Sequence, residues 1–188
     1  MRIIRAREHQ VVPWKNGGGT ASNIIASPEG AGFDAFDWRL SGAHVERDGL
    51  FSIFPGVDRT MLILEGHELA LHGRDEQPVV LTKQSAPYDF PGDIPISATL
   101  PDGAIRNLNI MSHRERFRHS VRRSGLSIDE TIAPKGTLLV YVETGTVFTT
   151  RLDGRDTLGM GDTLVSNAPV ALSATQGSVA VIVNIWSI

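Results

Sequence analysis

The chain has 188 residues, 41% of them hydrophobic, a formal net charge of −3 and no cysteine. That length suits one ordinary domain or two small modules with a real apolar core. The mild acidity argues against general nucleic-acid affinity, and the missing thiols exclude disulfides, thiolate metal sites and a cysteine nucleophile. Aromatics are sparse at 6%, while 19 glycines and 10 prolines suit short strands and tight turns better than a helical bundle.

The amino-terminal stretch Met1 to Glu8 carries basic residues but no apolar h-region, so it does not read as a secretory signal. Apolar runs such as Val179 to Val183 are too short to span a bilayer. The expectation is a cytoplasmic protein with no membrane partner. Helical patterning is confined to the first dozen residues and to Ser112–Arg116.

Pro13 then leads into Trp14-Lys15-Asn16-Gly17-Gly18-Gly19-Thr20. Three glycines in a row leave backbone N–H groups uncovered, at a cost in chain entropy. One reading is an anion nest, with charge from Lys15 and hydrogen bonds from Asn16 and Thr20. The other is a tight turn or bulge opening a sheet, with Trp14 packed in the core. A Walker loop is excluded because Lys15 precedes the glycines, and a dinucleotide fingerprint because residues 20–26 are poor helix material.

Beyond this point the periodicity is two. On the strand from Trp38 to Val45, Arg39, Ser41, Ala43 and Val45 share a face. Asp48-Gly49 signals a hairpin, after which Phe51–Phe54 reads as a strand stopped by Pro55-Gly56. Arg59 to Glu65 is a buried strand closed by a turn at Gly66, and Leu69–His72 is its return. Pro87 to Pro95 is too rich in proline for a central strand and reads as a loop or edge. Asn107 and Asn109 lie two apart on a further strand, which aims both amides at one side.

An internal echo organises the rest. Gly56 leads into an apolar strand closed by Glu65-Gly66, and Gly136 into one closed by Gly145. Gly92-Asp93 and Gly161-Asp162 follow, then Asn109-Ile110 and Asn184-Ile185. The order predicts two related antiparallel modules, residues 1–111 and 112–188, joined near 112–130, with strands exchanged between them into one compact unit. Such an order is the layout of a cupin barrel. A metal-binding cupin would carry His-x-His and a Glu ahead of the turn glycine, but the Glu place falls on Arg59 and the His places on Ser52 and Phe54 or Ile53 and Pro55. The second half offers Leu138 there and has no histidine after His119, so no metal or other cofactor is expected.

The motifs around Trp14–Thr20, Trp38–Ser41, Phe51–Arg59 and Asn107–Met111, in that order, resemble those of the HutD/Ves family. The resemblance implies an all-β bicupin fold, with two cupin-like β-barrel or jelly-roll modules in one chain. It also implies a link to histidine utilisation, in which HutD-type members bind a pathway intermediate and restrain expression or flux; other members are described as stress-induced. No catalytic activity or catalytic residue follows from it.

Arg39 and Arg59 lie inside apolar strands, where a guanidinium needs a partner. That partner is a carboxylate ligand held bidentately, or an internal acid such as Asp58, Asp93 or Glu65 for Arg59. The ligand reading gathers Trp14, Lys15, Asn16, Arg39, Ser41, Arg59, Asn107 and Asn109 around a small anionic metabolite, urocanate or formylglutamate. The histidines offer no three-ligand set, and no Gly-x-Ser-x-Gly elbow is present. The basic run His113 to Arg123 reads as a solvated linker or strand face. The alternatives are a cupin-type isomerase or hydrolase using Lys15 or a histidine as base, and an interaction scaffold using the basic run. A monomer and a homodimer are both compatible with exposed strand edges.

Overall fold

A computed structural model describes residues 1–14, 18–33, 35–73, 77–126, 129–151 and 154–188, and strands dominate them. The chain divides into two compact units: Gln10–Phe117, and Met1–His9 together with Arg118–Ile188.

The first dozen residues do not form the helix their pattern allowed. Strand β1 (Arg2–Ile4) is followed by a single 3-10 turn, Ala6–Glu8, and by β2 (Gln10–Pro13). Sheet pairing overrides the local preference: β1 runs antiparallel to residues 163–165, and β2 to residues 20–23.

The Gln10–Phe117 unit continues with β3 (Gly19–Ser27), β4 (Trp38–Val45), β5 (Gly49–Leu50), β6 (Val57–Glu65) and β7 (Glu68–His72). It ends with β8 (Val79–Thr82), β9 (Tyr88–Pro91), β10 (Ser97–Thr99) and β11 (Ile105–His113). Hydrogen bonding sorts these into a six-stranded sheet, β2-β3-β4-β11-β6-β9, and a four-stranded sheet, β5-β10-β7-β8. The two pack face to face through Val45, Met61, Ile63, Phe90 and Ile105 from one sheet and Leu69, Leu71, Leu81 and Ala98 from the other. The proline-rich segment supplies β9 at the sheet edge, as its composition requires.

Phe51–Phe54 is not a strand. It is an irregular stretch pinned at both ends, Phe51 N donating to Ile96 O at 2.8 Å and Phe54 N to Gly92 O at 2.8 Å. Those tethers, rather than a ladder, satisfy the backbone and free its side chains to point around a cavity.

The other unit holds β12 (Phe117–Gly125), β13 (Glu130–Ile132), β14 (Thr137–Thr144), β15 (Val147–Arg151), β16 (Gly154–Leu158), β17 (Thr163–Ser166), β18 (Val170–Ala174) and β19 (Val179–Ser187). Its sheets are β1-β17-β14-β19-β12 and β13-β18-β15-β16. Their shared interior is aliphatic, with Leu138, Val140, Val142, Leu158, Leu164, Leu172 and Ile182 all buried. The basic run is thus partly strand β12, and its arginines are paired: Arg114 with Asp58 and Asp93, Arg116 with Asp37, Arg122 with Glu130 and Arg123 with Glu143. Ser112–Arg116, the second window with helical patterning, is the end of β11 and a turn. In each unit the strands form two open sheets, not one closed barrel. Among the described residues no helix is long and apolar enough to cross a membrane.

Candidate functional site

The site lies within the Gln10–Phe117 unit, on the inward face of its six-stranded sheet. Register brings the polar residues together. Met111 on β11 pairs with Arg39 on β4 and Arg59 on β6, Asn109 with Ser41 and Met61, and Asn107 with Ala43 and Ile63. Since side chains two apart share a face, these three rows line one side of the sheet.

They open onto a cavity of ≈ 670 Å³, a size typical of small-molecule sites. Its wall includes Trp14, Ser41, Arg59, Met61, Asn107 and Asn109, closed on the other side by Phe51, Ser52 and Phe54. Among the described residues Arg59 is the one charged side chain of this lining.

Arg59 is 8% exposed. Its Nη2 donates to Asn109 Oδ1 at 3.1 Å and its Nη1 reaches Ser52 O at 3.4 Å, while the buried Nε has no partner among the described residues. Three rings surround the guanidinium carbon, Phe90 at 4.8 Å and Phe51 and Phe54 each at 5.5 Å from ring centroid. Burial pushes its pKa down to about 10, so it is cationic at neutral pH. None of the acids expected as internal partners serves it: Asp58 and Asp93 bind Arg114, and Glu65 binds Arg106. Cation–π contacts give about 0.5–2 kcal/mol each. Burying an ion costs several kcal/mol, so the rings leave room for a counter-charge to stabilise the site further.

The two asparagines form a relay with a fixed direction. Arg59 can only donate, so it fixes Asn109 Oδ1 as the acceptor; Asn109 Nδ2 then donates to Asn107 Oδ1 at 2.6 Å. Asn107 Nδ2 is the donor at the end of the relay. The amides serve each other and Arg59.

Arg39 is placed differently. It is 3% exposed, yet it does not reach the cavity wall; its guanidinium carbon lies 3.6 Å from the centroid of Phe33, whose ring does. Burial lowers its pKa as well. Trp14 is half-buried at the cavity, while Lys15, Asn16 and Gly17 lie outside the described residues. Gly19 is required by packing, because a Cβ there would fall 2.0 Å from His44 O. At this one glycine the sheet-opening reading holds.

Sequence reasoning missed Phe33, Phe51, Phe54 and Phe90. The signal for two of them lay in Phe51-Ser52-Ile53-Phe54, where aromatics three apart fit no single strand face. The described residues hold no group of three or more His, Asp or Glu able to bind a metal, and Ser52, Ile53 and Phe54, near which cupin ligands would stand, offer none.

An uncharacterized 21.2 kDa protein of the hutC 3′ region in Pseudomonas putida is 36% identical over 123 residues, 63% of this chain and 61% of that protein. Protein Ves of Citrobacter koseri is 37% identical over 123 residues, 65% of this chain and 63% of that protein. The chain thus spans about three fifths of the length of these curated relatives. A conserved protein of unknown function from Pseudomonas aeruginosa PAO1 superposes with a TM-score of 0.89 at 29% identity, over 98% of this chain and 97% of that one. HutD from Pseudomonas fluorescens SBW25 gives 0.84 at 27% identity, over 100% and 98%. At the level of fold alone, a cupin 2 conserved barrel domain protein from Leptotrichia buccalis gives 0.61 at 10% identity, over 94% and 92%, so the all-β architecture is cupin-like. With the HutD family model matching residues 6–182, the chain belongs to the HutD family.

Proposed function

We propose that this chain is a non-enzymatic binding protein whose cavity takes a small anionic intermediate of histidine catabolism, urocanate or formylglutamate, and that occupancy restrains histidine utilisation. The observation that carries the reading is Arg59: a buried cation facing a hollow, with no carboxylate partner among the described residues. A carboxylate entering there would pair with the Arg59 guanidinium, with the Asn107 amide as a further donor for its polar end. The described lining contains no histidine, carboxylate or lysine, so nothing on it favours acid–base chemistry. The link to histidine utilisation is supported by family membership and by the hutC-region position named for the Pseudomonas putida relative. We read the two units as the two modules of a bicupin, a reading supported by the paired-sheet plan each one shows.

Isothermal calorimetry with urocanate and formylglutamate tests the proposal. Saturable heat from at least one is expected in the wild type. Arg59→Ala should weaken it at least tenfold, the loss of one charge-assisted pair. No heat from either compound with the wild type would end the reading.

A further inference from the structure

Arg39 is a second buried guanidinium, and no described carboxylate approaches it; its Nε has no partner among the described residues. One ring covers it, that of Phe33, which is itself 42% exposed and forms part of the cavity wall. Met111, also in the wall, stands between the two arginines in register, paired with Arg39 on one side and Arg59 on the other. Neighbouring strands lie about 4.8 Å apart, which sets the two arginine backbones roughly 10 Å apart across that row. Side chains of arginine length reaching inward from both positions come within the span of a short molecule charged at each end.

The geometry points to Arg39 as a second anion-binding residue of this pocket, uncovered when the Phe33 ring swings aside, and therefore to a short dicarboxylate as the ligand class. The inference deepens the anion-binding reading and rests on it. A monocarboxylate satisfies Arg59 and leaves Phe33 stacked on Arg39. A dicarboxylate exchanges that ring for a bidentate ion pair on a desolvated cation, and the half-exposed ring has solvent to move into. Phe33 would then select for ligands whose second charge repays its displacement.

Glutarate and butyrate separate the cases by calorimetry. The wild type is expected to bind glutarate at least tenfold more tightly than butyrate. Arg39→Met should bring glutarate to the butyrate level, and Phe33→Ala should widen the ratio of glutarate to butyrate affinity severalfold. The methionine replaces a buried cation that has no described carboxylate partner with an apolar chain of similar length, which keeps the site filled without leaving a charge unmatched. Should that variant melt early, Arg39→Gln carries the same expectation. Equal affinities in the wild type, or a glutarate preference that survives removal of the Arg39 charge, would overturn the inference and leave the Arg59 site standing. Failure of both compounds to bind the wild type would defeat the anion-binding reading and this inference together.

Discussion

Arg59 stands where its neighbours Met61 and Ile63 are aliphatic, and its charge is the reason the cavity is more than a packing defect. The guanidinium must be protonated to attract an anion. Because burial lowers its pKa to about 10, affinity for a carboxylate should be flat from pH 6 to about 8.5 and fall as pH climbs through 10. Dissociation constants measured across that range check the sign; a rise in affinity above pH 10 would contradict it. Residues of this kind are legible in a sequence because a charge inside an apolar run has few destinations, and the same holds for Asn107 and Asn109, two apart on one strand. The position of Arg39 is only half legible. Period two gives the face of its Cβ correctly, but Phe33, which intercepts it, lies in no periodic segment.

Among elements, the two Gly-Asp pairs are clasps. Gly92 N donates to Val57 O at 2.7 Å and Gly161 N to Val142 O at 2.8 Å. Asp93 then accepts the N–H of Gly56 and pairs with Arg114; Asp162 accepts those of Ala6 and Gly159 and pairs with Arg5. The sequence echo thus marks a repeated way of tying a flanking segment to a sheet. At Asp162, desolvation works to raise the pKa, and the N–H groups of Ala6 and Gly159 together with Arg5 outweigh it, so the net shift is downward. A carboxylate with a lowered folded-state pKa adds stability that is present above the unfolded value near 4 and lost as pH falls through the folded one. Asp162→Asn should therefore cost about 1–3 kcal/mol at neutral pH, with the gap to wild type closing below about pH 4. Urea midpoints at pH 7 and pH 3 measure both limbs. Phe51–Phe54 went unread at this scale because its tethers, to Ile96 and Gly92, come from residues some forty positions away.

At the scale of the molecule, the two units have divided their interiors differently: one is filled by leucine, valine and isoleucine, the other keeps a polar hollow. The aliphatic unit depends on the first nine residues, since Ile3 packs against its core, β1 edges its larger sheet and Arg5 reaches Asp162. Removing Met1–His9 strips that edge and should lower the melting temperature by roughly 5–10 °C, from loss of the Ile3 contact with the core, the β1 ladder and a charged hydrogen bond. A melting curve unchanged by the truncation would contradict this account. Local pattern could not reveal the pairing of Arg2 with Val165, because a three-residue strand owes its existence to its distant partner.

The ring-walled setting of Arg59 has one more consequence. A cation enclosed by hydrocarbon attracts any small negative species that can shed its water, halides included. Background salt should therefore compete with a carboxylate for the proposed site, and a larger, more weakly hydrated halide should compete better than a small one.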